Sequence, residues 1–172
     1  MASMRLRFKK RPDATVAFTC VREDGSWSSA PIGAAEGYGP LHDLAHFVVE
    51  STLGLTGGFL GLVARGWDIQ DFDTRVLARI GQEPDANDAG TAECLAGLLS
   101  GAMFTGSAYS AEELNWSIRE VAEKQAPGWV YPTVTDAQFD AMWGQLTSLR
   151  ARWDALGAGE TLDLEFRTGV GR

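Results

Sequence analysis

The chain has 172 residues, 45% of them apolar and 22% charged, the balance of an ordinary globular domain rather than of a disordered segment. Its formal charge of −8 repels phosphate backbones and anionic membrane surfaces, so neither nucleic acid nor membrane is expected as a partner. At this length one packed domain over residues 1–172 is expected, without disulfide or metal staples.

Three strands open the chain, at Met4 to Lys10, Thr15 to Arg22 and Ser26 to Ile32. In the first, Met4, Leu6 and Phe8 alternate with Arg5, Arg7 and Lys9. The basic run that ends at Lys10 and Arg11 therefore reads as the solvated face of a strand, not as a nucleic-acid patch. Asp24-Gly25 predicts a type I′ hairpin turn, which needs positive φ at both central residues. After a glycine-rich connector from Gly33 to Pro40 the pattern turns helical, with helices predicted at 41–54, 57–65, 73–80, 87–104, 111–125 and 136–156. Ser110-Ala-Glu-Glu113 and Thr135-Asp-Ala-Gln138 are capping boxes, and Gly66, Gly81 and Gly157 are candidate stops.

In the last helix Phe139, Met142, Trp143, Leu146, Leu149, Trp153 and Leu156 recur at helical spacing and mark a core stripe. Thr161 to Arg167 alternates again, with Leu162, Leu164 and Phe166 inward. Its outward Asp163 and Glu165 complement Arg5 and Arg7, so the two terminal strands are expected side by side. The fold class that follows is α+β: a small antiparallel sheet from the N-terminal strands plus the C-terminal strand, packed against about six helices.

Cys20 and Cys94 are the only cysteines. Far apart and in apolar surroundings, they read as buried thiols, which suits a reducing compartment. No apolar signal core or membrane-length stretch is visible, and a cytoplasmic location is the expectation.

The chemically pointed stretch is His42-Asp43-Leu44-Ala45-His46. At 100° per residue, His42, His46, Glu50 and Asp43 fall within one narrow arc of a helix that is otherwise apolar nearly all round. Imidazoles at i and i+4 can share one cation, so His42 and His46 are candidate ligands for Zn²⁺ or a similar divalent ion. Glu50, two turns from His42, is a candidate acceptor behind His46 or a stretched ligand. Glu93, the sole charge between Ala89 and Phe104, is a candidate buried carboxylate, where Gly90, Gly97 and Gly101 permit close helix approach. A solvent-facing Glu93 beside Thr91 is the alternative. Asp68, Asp71 and Asp73 are further candidates, and as plainly the turn and cap of a helix. The whole arc can also be the wet face of an amphipathic helix. The glycines from Gly54 to Gly66 are assigned to tight packing.

His42-Asp43-x-x-His46 resembles the zincin motif over these five residues, with Asp in place of Glu. The resemblance implies Asp43 as general base and a metal-dependent hydrolase acting on a small molecule or peptide. The longer segment Pro40 to Glu50, followed by Gly58 to Trp67, is similar to small bacterial proteins without an assigned activity. The competing expectation is a non-enzymatic binding or assembly module without metal, whose partner surface uses Trp27, Trp67, Trp116 and Trp129. The sequence leaves the oligomeric state open.

Overall fold

A computed structural model describes residues 3–72, 83, 85–125 and 130–169. Strands β1 (Ser3–Lys10), β2 (Thr15–Arg22), β3 (Trp27–Ala34) and β4 (Thr161–Arg167) form one antiparallel sheet in the order β3-β2-β1-β4. The terminal strands pair as their charges suggest, with Arg7 opposite Asp163 and Arg5 opposite Glu165. Arg7 Nε donates to Asp163 at 2.9 Å, whereas Glu165 accepts from Arg167 on its own strand.

Alternation decides which face is covered. Met4, Leu6, Phe8, Val16, Phe18, Cys20, Leu162, Leu164 and Phe166 are all buried on one side, and Phe8 stacks on Phe18 with centroids 4.5 Å apart. The turn between β2 and β3 departs from type I′. Gly25 has φ of 84°, but Asp24 does not enter the positive region. Its carboxylate accepts from the Ser26 amide at 2.8 Å and hydroxyl at 2.6 Å, and Arg22 N–H to the Ser26 carbonyl at 2.8 Å closes a three-residue loop. Such a loop needs only one residue at positive φ.

Five helices are present among the described residues: α1 (Tyr38–Leu53), α2 (Phe59–Ala64), α3 (Ala86–Thr105), α4 (Ala111–Gln125) and α5 (Asp136–Asp154), with a single 3-10 turn at Ile69–Asp71. The helix expected at 73–80, its stop at Gly81 and Asp73 lie outside the described residues. Helix α1 starts three residues before its expected first residue, because Pro40 is tolerated in a first turn where the amide has no intrahelical partner. A Cβ on Gly39 would lie 2.2 Å from the Ile32 carbonyl oxygen, so α1 begins tightly against β3. Gly54 ends it in the left-handed region at φ 65°. The Thr135–Gln138 capping box forms in full; at Ser110 the hydroxyl accepts from the Glu113 amide at 3.2 Å, while the Glu113 carboxylate accepts from that hydroxyl at 2.9 Å rather than from the Ser110 amide. Helix α5 stops at Asp154 rather than running to Leu156, and buries Phe139, Met142, Leu146, Leu149 and Trp153 as its spacing predicts.

Helix α1 packs chiefly on α3 and α5 and also meets β3 and β4, which accounts for apolar residues on nearly every side of it. No described helix is long and apolar enough to cross a membrane. Both cysteines are free, Cys20 buried and Cys94 half-buried. Phe18, fully buried between Phe8 and Phe59, should lose about 3–5 kcal/mol on replacement by Ala. Arg7→Ala, which removes an exposed ion pair, should lose less than about 1 kcal/mol. Urea denaturation of the two variants checks the contrast.

Candidate metal centre

Helix α1 carries His42, Asp43, His46 and Glu50; α3 runs beside it and brings Glu93 to both histidines. His46 is 3% exposed. Its Nδ1 lies 3.1 Å from Glu50 Oε1 and its Nε2 3.0 Å from Glu93 Oε2. His42 Nε2 lies 3.5 Å from the other oxygen of Glu93, and the two rings meet edge to face with centroids 4.8 Å apart. One donor atom each from His42, His46 and Glu93 fall within 4.8 Å of one another. In tetrahedral coordination at about 2.1 Å, ligand atoms stand roughly 3.4 Å apart, so these three are close to the spacing that an ion needs.

Hydrogen-bond chemistry narrows what His46 can be. A carboxylate only accepts, so Nδ1 must carry a proton to face Glu50. A bare Nε2 would then set its lone pair against Glu93 in a part-buried contact. The position between Nε2 and Glu93 therefore requires a positive charge, supplied either by a second proton or by a metal ion. Burial alone would favour the neutral ring. The hydrogen bonds to Glu50 and Glu93, and their charges, outweigh burial and push the His46 pKa up to about 10. The hydrogen bonds from His42 and then His46 hold the Glu93 carboxyl far below the usual carboxylate range.

Glu50 is 1% exposed and is held on both oxygens, with Leu60 N–H donating to Oε1 at 3.1 Å and Gly61 N–H to Oε2 at 3.0 Å. It therefore lies behind His46, away from the His42, His46 and Glu93 donor set. The glycines here do pack tightly. A Cβ on Gly58 would lie 2.5 Å from the Glu50 carboxyl, and one on Gly61 2.3 Å from the Thr56 carbonyl oxygen.

Of the two readings of Glu93 the solvent-facing one holds, since its side chain is 69% exposed, although Thr91 is buried at 2%. Two residues on a helix are about 200° apart, which puts Thr91 in the core and Glu93 at the rim. Gly97 and Gly101 depart from expectation. A Cβ on either would meet nothing within 4 Å among the described residues, so neither glycine serves a close helix contact there.

Asp43 is half-buried. Burial raises its carboxyl pKa to about 6, against the lowering pull of His46 and His42. Asp68 and Asp71 bracket the 3-10 turn, where the Asp71 carboxylate accepts from the Asp68 amide at 2.9 Å, and Asp68 also lies 3.7 Å from Arg22. They belong to that turn. Burial lifts both thiols, Cys94 to about 11, so neither is a thiolate near neutral pH.

Two partners of His42 escaped the sequence reading. Its Nδ1 faces the Tyr38 hydroxyl at 3.3 Å and the Ser100 hydroxyl at 3.4 Å, and those hydroxyls are 2.8 Å apart. Hydroxyls donate and accept, so they suit either tautomer of His42. Tyr38 stands four residues before His42, and that spacing was the available signal.

No protein-family model matches the chain, and neither a curated protein nor a solved structure matches it.

In the metal-free protein the His46 proton stabilises the fold fully below about pH 6.5, the ordinary imidazole value, and that contribution is lost as pH rises through about 10. The urea midpoint should fall from pH 7 to pH 10, and fall much less in His46→Gln, whose amide has no such proton to lose. Gly58→Ala, which drives a methyl group into Glu50, should destabilise by about 1–3 kcal/mol, measured in the same way.

Proposed function

We propose that the chain is a divalent-metal protein holding Zn²⁺ or a similar ion on His42, His46 and Glu93, and that it is a metal-dependent hydrolase. The observation that carries the metal reading is His46, buried with both ring nitrogens against carboxylates, one of which also meets His42. The donor set fits a borderline ion, with two imidazole nitrogens and one carboxylate oxygen, and leaves a position for substrate or solvent. Behind it, Glu50 accepts from His46 Nδ1 and fixes the ring, the usual support for a histidine ligand.

A bound ion would supply Lewis-acid chemistry. The chain's own contribution to hydrolysis would come from Asp43, whose pKa of about 6 leaves it ionised yet basic enough to accept a proton near neutral pH. A small molecule or peptide is the substrate class this implies. The two free cysteines accord with a reducing, cytoplasmic setting.

Metal analysis of untagged protein should find about one divalent ion per chain, as one complete donor set implies, and His42→Ala and His46→Ala should each remove most of it. Less than about a tenth of chains loaded, unchanged by either substitution, would defeat the reading.

A second reading, a binding module without metal, is favoured by Trp27 at 66% and Trp116 at 59% exposure, since exposed indoles are typical anchors of partner surfaces. Trp67 is buried in a small separate cluster with Leu62, and Trp129 lies outside the described residues. On that reading the solution mass exceeds that of the monomer and falls in Trp27→Ala or Trp116→Ala with the fold retained. A strict monomer at all concentrations removes self-assembly from it.

A further inference from the structure

We infer that the centre opens onto a shelf for a flat apolar group, so that its ligand joins a metal-binding head to an aromatic or similarly flat tail; this rests on the metal reading above. Tyr38 and Phe104 are large rings left 39% and 49% exposed, in edge contact with centroids 5.8 Å apart. They adjoin the donor set directly, because the Tyr38 ring lies 5.4 Å from that of His42. The Tyr38 hydroxyl is tied to Ser100 at 2.8 Å and approaches the Gly97 carbonyl at 3.4 Å, so the ring is held in place.

Along α3, Glu93, Gly97 and Gly101 follow at one-turn spacing, and Phe104 comes three residues later. Glycine weakens a helix relative to alanine, and a Cβ at Gly97 or Gly101 would meet no described residue within 4 Å. Packing among the described residues does not explain their smallness. Side chains there would occupy the strip between Glu93 and Phe104, and their absence keeps that strip clear among the described residues.

The donor set points independently to a ligand, since three protein donors leave a four-coordinate ion one open position. Charge narrows its chemistry. Glu93 is the only charged residue from Ala89 to Phe104, and with Glu50 it offsets the two charges of a divalent ion. At the far end of the strip Phe104 adjoins Arg150, whose guanidinium is already committed to the Met103 carbonyl at 2.6 Å. Two exposed rings beside the strip favour a flat apolar surface.

The test uses the full chain loaded with cobalt(II), whose visible spectrum reports ligand binding, titrated with acetohydroxamate and with benzohydroxamate. The two share a chelating head and differ in the tail. Covering a phenyl ring is worth about tenfold in affinity or more, so benzohydroxamate should bind at least about tenfold tighter. Phe104→Ala, which removes one ring, and Gly97→Leu, which fills the strip, should each bring the ratio below about threefold, as loss of most of that burial requires, with cobalt content measured on the same samples. Equal affinities in the wild type, or a ratio that neither variant changes, overturn the shelf and leave the metal centre standing. A chain that takes up no cobalt overturns both.

Discussion

The candidate site depends on the hydrogen-bonding limits of a carboxylate. Glu50 and Glu93 approach opposite nitrogens of a buried imidazole, and neither can donate to it. Such a ring is stable only if a positive charge sits on the Glu93 side. A proton fills that requirement in the metal-free chain. A divalent ion, as proposed above, would also fill it, and His42 presents Nε2 to the same carboxylate.

The fold makes that arrangement rigid from one side and open from the other. Behind His46, the Glu50 carboxylate is held by the Leu60 and Gly61 amides, and it fits only because Gly58 has no side chain. In front, Glu93 stands at the solvent rim of α3, where it can follow a change of charge between the two histidines. The rigid half costs helix propensity at glycines and the burial of a charge. That expense is understandable if Glu50 has to orient His46, since an unaligned ring would not direct Nε2 at Glu93.

Periodicity made the fold legible. Strand alternation in Met4 to Lys10 and Thr161 to Arg167 showed both the buried face and the pairing of the two ends, and the stripe from Phe139 to Trp153 placed α5 on the core. The α1 arc was legible for the same reason, because His42, His46 and Glu50 are related by the helix alone. What stayed open was how α3 is turned. The exposure of Glu93 is set by the rotation of α3 about its own axis, which its weakly patterned glycine and alanine sequence does not declare. The same ambiguity made Gly97 and Gly101 look like contact residues, when a Cβ on either would meet no described residue within 4 Å. The Asp24-Gly25 turn was misjudged because the Asp24 side chain competes for the Ser26 amide and hydroxyl, an interaction that dipeptide preference does not contain.

Nitrogen-15 NMR of the His46 ring at pH 8, before and after one equivalent of Zn²⁺, tests the central claim most directly. The account predicts protons on both ring nitrogens in the metal-free chain, and loss of the Nε2 proton alone on adding zinc, with Nδ1–H retained toward Glu50. A neutral ring in the metal-free chain that zinc leaves unchanged would contradict it.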